Sequence, residues 1–202
     1  MNKRRGRPAG GSDARLRILA AAREAFLERG YAAATLRDIA RAADVDVALI
    51  SYHFGSKQQL FGAAVSLTVS PGTVLSTLLQ GGSAQLAGRI LRAVLSTWDA
   101  PDVGGPLTLL LAETQRDARA MRSLREYLDR ELGARLAAHI GGIGAGERAA
   151  AALTITMGLI VNRYVLRLEP IASMSAEQVA RSLEPAMNAA LWRGRLPNRT
   201  AR

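Results

Sequence analysis

Apolar residues recur every three to four positions along most of this chain, the period that gathers them on one face of a helix. A first helix is expected from Ser12 or Asp13 to about Arg29, ended by Gly30, with Leu16, Leu19, Ala20, Ala22, Phe26 and Leu27 as its apolar face. Leu36, Ile39, Ala40 and Ala43 mark a second, short helix that Thr35 can cap. Asp44-Val45-Asp46 breaks that pattern, and Asp46 caps a third helix, Val47 to Phe54, whose inward residues are Ile50 and Phe54. Gly55 ends it. Ser56 then caps a connecting helix, Lys57 to about Val69, carrying Leu60, Phe61, Ala64, Val65 and Leu67, and Ser70-Pro71-Gly72 closes the segment.

Further helices are expected over Thr73 to Gln80, Ser83 to Trp98, Leu107 to Ala118 and Ala120 to Ile140, with a break at Asp99 to Pro106. The last of these offers charge pairs four apart, Arg122 with Glu126 and Glu126 with Arg130. Glu147 to Leu168 is apolar nearly all round: Leu153, Met157, Ile160 and Tyr164 mark one face, Ile155, Leu159, Asn162 and Leu166 another. Such a helix must be covered on several sides. Ser175 caps a final helix to Arg193, in which Pro185 is expected to produce a kink. No alternating strand pattern and no long repeat appears. The class is all-α.

Composition narrows the function. With 49% hydrophobic residues the chain can fill a substantial core, and it has no Cys for disulfides or thiolate metal sites. The N-terminus is charged where a signal peptide is apolar, and Arg or Glu interrupts each apolar stretch short of a membrane span, so a soluble cytoplasmic protein is expected. The net charge of +10 favours an anionic partner; a solvated, solubilising surface is the plain alternative. Through Leu67 eleven Lys and Arg face six Asp and Glu, about twice the charge density of the remainder. His53 and His139 are the only histidines, and no nucleophile–base spacing, metal cluster or phosphate loop accompanies them. Neither an enzyme, a metal site nor a cofactor is expected.

Two short helices joined by a tight turn amid basic residues form the helix-turn-helix pattern, in which one helix crosses the phosphate backbone and the second enters the major groove. The stretch TLRDIARAADVDVALISYHFGSK, Thr35 to Lys57, has T-x-x-x-I-A-x-x-A, a Val in the turn and Y-H-F-x-S-K before an apolar helix. Over about the first 65 residues it resembles the DNA-binding domain of TetR-type (tetracycline-repressor-like) regulators.

The resemblance implies the DNA contacts. Thr35 and Lys57 occupy phosphate-clamping positions at two helix N-termini. Tyr52 and His53 match positions that hold the backbone, although His53 also suits a capping or packing role. Arg37 sits where some relatives read a base; a surface or phosphate-facing Arg is the alternative. The chain departs from the family pattern where the turn Gly is Asp44 and the usual Ser is Asp46, a carboxylate that repels phosphate unless it accepts from a cytosine amino group. Val47, Ala48 and Leu49 offer only apolar contacts, suited to thymine methyls, which leaves Arg37 and Ser51 as the main polar readers. Arg4, Arg5 and Arg7 lie in a basic arm whose R-G-R-P resembles an AT-hook core; it enters a minor groove or serves as a solubilising tail with phosphate contacts only.

The expected organisation is a flexible basic arm (1–12), a helix-turn-helix domain of three helices (13–56), a larger helical effector-binding and dimerisation domain (57–195) and a basic tail (196–202). In TetR-type proteins the last two long helices, here about 147–168 and 175–193, pair with their copies, which implies a homodimer on a palindromic operator in double-stranded DNA. The family also places a small-molecule pocket among the middle helices. Trp98, Thr114, Met157 and Asn162 are its candidates here, against simple core packing. The expected function is a homodimeric repressor released by an effector. The alternative is an effector-independent DNA-binding protein controlled by abundance or a protein partner.

Overall fold

The computed structural model describes residues 10–65, 67, 69–100, 103 and 116–192. Among these, every regular element is helical: α1 (Gly10–Ala33), α2 (Leu36–Ala42), α3 (Val47–Phe54), α4 (Lys57–Ala64), α5 (Pro71–Leu79), α6 (Leu86–Asp99), α7 (Ala118–Leu128), α8 (Arg135–Ile140), α9 (Ala145–Ile160) and α10 (Ala176–Trp192), with π-helical stretches at Asp129–Ala134 and Val161–Val165. The all-α class expected from the periodicity is the observed one. Among the described residues no helix is long and apolar enough to cross a membrane. Arg4, Arg5, Arg7, Thr114, nearly all of the helix expected over Leu107 to Ala118 and the 196–202 tail lie outside the described residues.

The chain divides into two compact units, 1–68 with 114–127, and 69–113 with 128–202. The first contains α1 to α4 and all but the last residue of α7. Its buried line along α1 is Ala14, Ile18, Ala22 and Phe26, each 4% exposed or less, whereas Leu16 is 63% exposed. The apolar face expected on α1 is therefore rotated. Residues four apart form the seam because α2, α3 and α4 pack along it, and Ala14 and Ala22 admit them closely.

Helix α1 breaks where expected, at Gly30, whose φ of 81° is left-handed. Helix α4 is shorter than its apolar run implied and is capped at Val65. Ser56 and Gln59 form a reciprocal capping box at its start. The core of this unit is aromatic. Phe26, Tyr31 and Phe61 meet, and the fourth ring is Tyr127 of α7, stacked on Phe61 at 4.7 Å and edge-on to Tyr31 at 5.2 Å. Phe54 instead lies beside His53, under the Arg15 guanidinium. Nor do Arg122 and Glu126 serve as a pair along their own helix. Arg122 donates to the Leu27 and Glu28 carbonyls, Ser123 Oγ to the Phe26 carbonyl, and Glu126 accepts from Ala32 N–H at 2.7 Å. The end of a helix leaves its last carbonyls without intrahelical donors, and α7 supplies them for α1.

The second unit packs α6 and α9 against α10, around a core that includes Leu86, Leu91, Leu95, Leu136, Leu159, Val179 and Met187. Ser175 and Gln178 cap the start of α10 reciprocally, and the helix runs on through Pro185. Gly88 marks a close approach of α6 and α10: a Cβ there would lie 2.9 Å from Glu184 Oε1. Beside it Arg92 reaches Glu177 with two nitrogens at 3.3 Å each. On α9 the buried residues are Ala149, Ala152, Leu159 and Ile160. Each of the two apolar faces expected there is covered in part: Ile160 and Leu159 are buried whereas Met157 and Leu166 are exposed, and Val161, Val165 and Leu168, on neither expected face, remain 36–49% exposed.

Candidate nucleic-acid interface

The site is built outward from two caps. Thr35, in extended backbone, accepts from Asp38 N–H at 3.1 Å and donates its own hydroxyl to Asp38 Oδ2 at 2.7 Å. That hydroxyl, with the Arg29 and Arg41 guanidinium groups at 3.3 and 3.5 Å, holds the Asp38 carboxyl below the usual aspartate range. Asp38 thus organises the start of α2, a role legible in the T-x-x-D spacing but not assigned from it.

Because its folded pKa is depressed, Asp38 contributes stability above the unfolded aspartate pKa and loses it as pH falls through the folded value. Melting wild type and Asp38→Asn from about pH 7 down to about pH 3 is expected to show wild type ahead at neutral pH, with the gap closing in acid. A gap that stays constant with pH would contradict this.

The turn that follows uses Asp44 at φ 51°, the left-handed conformation that Asp tolerates where the family pattern has Gly. Arg17 of α1 braces it by donating to the Ala43 and Asp44 carbonyls at 3.0 and 3.4 Å. This contact links residues 26 and 27 positions apart, and no local pattern announces it. Asp46 then caps α3, one carboxylate oxygen accepting from Ala48 N–H at 2.6 Å. That commitment to the helix N-terminus leaves its other oxygen for any base amino group.

Ile50 and Phe54 turn α3 inward, at 1% and 8% exposure. Ala48, Ser51 and Tyr52 are exposed, Tyr52 by 82%, while Val47, Leu49 and His53 are half-buried. The inward pair Ile50 and Phe54 is as expected of this helix. Arg37 on α2 is exposed. His53 Nε2 is inaccessible and without a hydrogen-bond partner among the described residues, so in this rotamer a phosphate contact must use Nδ1. Lys57 is half-buried: its ammonium donates to the Ala32 carbonyl at 3.3 Å and lies 4.7 Å from the centre of the Tyr31 ring.

In the second unit Trp98 stacks on Tyr164 at 5.4 Å, and Tyr164 donates its hydroxyl to Asp99 Oδ1 at 2.8 Å. Burial first, then that hydrogen bond, pushes the Tyr164 hydroxyl up to about 12. Arg163, its side chain only 10% exposed, pairs with Asp99 and donates to the Ile171 and Met174 carbonyls. Asn162 is half-buried beside this cluster in sequence, whereas Met157 stands on the exposed side of α9. Of the candidate pocket residues that are described, Trp98 and Asn162 are half-buried and Met157 is exposed. Asp99 and Tyr164 were not among those candidates.

Both units match known families. Residues 18–64 match the family described as "Bacterial regulatory proteins, tetR family", and residues 84–191 that described as "Tetracyclin repressor-like, C-terminal domain". An HTH-type transcriptional repressor of Mycobacterium tuberculosis is 36% identical over 143 residues, 66% of this chain and 71% of the relative. A TetR-family regulator from Streptomyces coelicolor A3 is 33% identical in its crystal structure, over 93% of this chain and 99% of its own, with a TM-score of 0.47. NalD of Pseudomonas aeruginosa, described as the secondary repressor of a multidrug efflux pump, is 22% identical over 89% of this chain and 95% of its own, with a TM-score of 0.50, a likeness of fold. Regulation of transcription, and not catalysis, is what these relatives share, and the chain belongs to the TetR family of bacterial transcriptional regulators.

Proposed function

We propose that this regulator is a homodimeric, sequence-specific repressor that a small molecule releases from a palindromic operator. The observation that carries the DNA-reading part is α3: Ile50 and Phe54 anchor it, and Ala48, Ser51 and Tyr52 stand outward at the end of a capped, Arg17-braced turn. In this reading Ser51 and Arg37 read bases, Val47, Ala48 and Leu49 meet thymine methyls, and Thr35, Tyr52, His53 and Lys57 hold phosphates. Arg4, Arg5 and Arg7 add contacts from the basic arm.

Dimerisation is supported by a run of exposed apolar residues: Met157 near the end of α9, Val161 and Val165 in the π-helical stretch that continues it, and Leu166 and Leu168 beyond it. Exposed Ser182, Pro185, Ala186 and Ala189 give α10 a flat, small-residue surface for the same purpose. Two recognition helices set about 34–36 Å apart then read two half-sites. The effector is assigned to the second unit near the Trp98–Tyr164 stack, where an aromatic wall adjoins Asp99. A ligand that favours one arrangement of the dimer lowers DNA affinity by its differential binding to that arrangement.

The test is selection of duplex DNA from a random-sequence pool, followed by affinity measurements with Arg37→Ala. The variant is expected to lose about 5- to 150-fold on the selected site, corresponding to ~1–3 kcal/mol for a bidentate base contact, and far less on unrelated duplex. Equal and steeply salt-dependent affinity of wild type for every duplex would leave only the phosphate contribution and overturn the sequence-specific reading.

A further inference from the structure

A row of rings closes α3 and leads to α1. Tyr52 meets His53 at 5.2 Å, and His53 meets Phe54 at 6.2 Å. Over the Phe54 ring, 5.4 Å from its centre, lies the guanidinium of Arg15, a separation at which a cation is attracted to an aromatic face. Arg15 and Arg17 flank the buried Ala14–Ile18 line of α1, and their surroundings differ. Arg17 is engaged: it pairs with Asp13 at 3.4 Å and donates to the Ala43 and Asp44 carbonyls. Asp13, the carboxylate in the first turn of α1, is thereby taken. Arg15 is exposed, and among the described residues no hydrogen bond or ion pair engages its guanidinium.

We propose that Arg15 of α1 is a further phosphate contact of the DNA-binding unit, its guanidinium held at the C-terminal end of α3 by the face of Phe54. Attraction to a ring uses no oxygen acceptor, so the planar fork of N–H donors still has acceptors to find, and a phosphate fits it with two oxygens. An exposed arginine on a free stem spreads over many rotamers. The ring narrows these to the neighbourhood of Tyr52 and His53, the residues to which the reading above gives phosphates. The footprint on DNA then extends to a helix outside the Thr35–Lys57 stretch. This deepens the DNA-binding reading and rests on it.

The experiment measures affinity of the full chain, across a salt series, for the duplex that wild type selects from a random-sequence pool. It is repeated on copies of that duplex in which single phosphates are replaced by uncharged methylphosphonate. Arg15→Ala is expected to make the log–log salt slope shallower by about 0.9 for each protomer bound, the contribution of one phosphate contact. Arg119→Ala removes one positive charge from the exposed start of α7, in the same unit, and should retain the wild-type slope. At one phosphate in each half-site, methylphosphonate should weaken wild type and leave Arg15→Ala unmoved.

A wild-type slope in Arg15→Ala overturns the proposal, and a lowered melting temperature accompanying it would reduce the ring contact to packing. An equal loss of slope in Arg119→Ala also overturns it, because net charge would then account for the effect. So does a methylphosphonate pattern that is the same for wild type and Arg15→Ala. Absence of DNA binding by wild type defeats the DNA-binding reading itself and is distinct from each of these. Should Arg15→Ala not fold, Arg15→Gln, which keeps much of the aliphatic stem, takes its place with the same expected and overturning results.

Discussion

Replacing Phe61 with Ala is expected to destabilise the first unit by about 3–5 kcal/mol, the range for removing a buried aromatic ring. Phe61 is 1% exposed and touches three other rings, Phe26 and Tyr31 at 5.0 Å and Tyr127 at 4.7 Å. Its loss opens a cavity among the rings of Phe26, Tyr31 and Tyr127, where α1, α4 and α7 meet. Such a loss is a large share of the ~5–15 kcal/mol by which a domain is ordinarily stable. Hydrogen exchange is the suitable probe, because Trp98 and Trp192 both belong to the second unit and tryptophan fluorescence reports on that unit instead. Amides of α1 and α4 should lose protection in Phe61→Ala and lose much less in Phe61→Leu, which keeps most of the volume. Wild-type protection in Phe61→Ala would show that the ring cluster is not what holds this unit together.

The second large effect is expected at Val161. Within one chain this residue is 36% exposed, so an Arg there has room to reach water and should leave the protomer's own stability within about 0.5 kcal/mol. In the proposed dimer the same position meets its own copy, and two guanidinium groups would be brought together out of water. Burying an unpaired charge costs at least ~3 kcal/mol, a hundredfold or more in the dissociation constant. Sedimentation equilibrium should find Val161→Arg monomeric at concentrations where wild type is dimeric, with melting of the protomer little changed. DNA binding should fall to the affinity for a half-site. A dimer of wild-type strength would place the interface away from Val161 and the π-helical stretch it opens.

Arg17, Arg122 and Arg163 all donate to carbonyls at the ends of helices or in turns, groups that helices leave unpaired. The high arginine content therefore serves two purposes: some side chains complete backbone carbonyls at helix ends and turns, and others, Arg37 and Arg41 among them, stand exposed and available to an anionic partner.

The local determinants were readable without a structure. Thr35, Asp46, Ser56 and Ser175 begin helices where their side chains accept from N–H groups two or three residues on. Gly30 and Gly55 end helices by taking a positive φ. The inward pair Ile50 and Phe54, four apart, follows from helical periodicity alone. These are all interactions within a few residues, which is why the outline of the helix-turn-helix element could be read from the chain. Tertiary structure decided the rest. It chose Ala14, Ile18, Ala22 and Phe26 over Leu16 as the seam of α1, because which face is buried depends on the helices that arrive there. It brought Tyr127 of α7 into the ring cluster with Phe26, Tyr31 and Phe61, and it drew Glu126 away from its neighbours on α7 to the Ala32 N–H. A carboxylate four residues from an arginine gains little from an exposed pair, whereas accepting an otherwise unpaired backbone N–H satisfies a group that is costly to leave bare. The sequence determined where helices start and stop; the meeting of distant segments determined which side chains complete their ends.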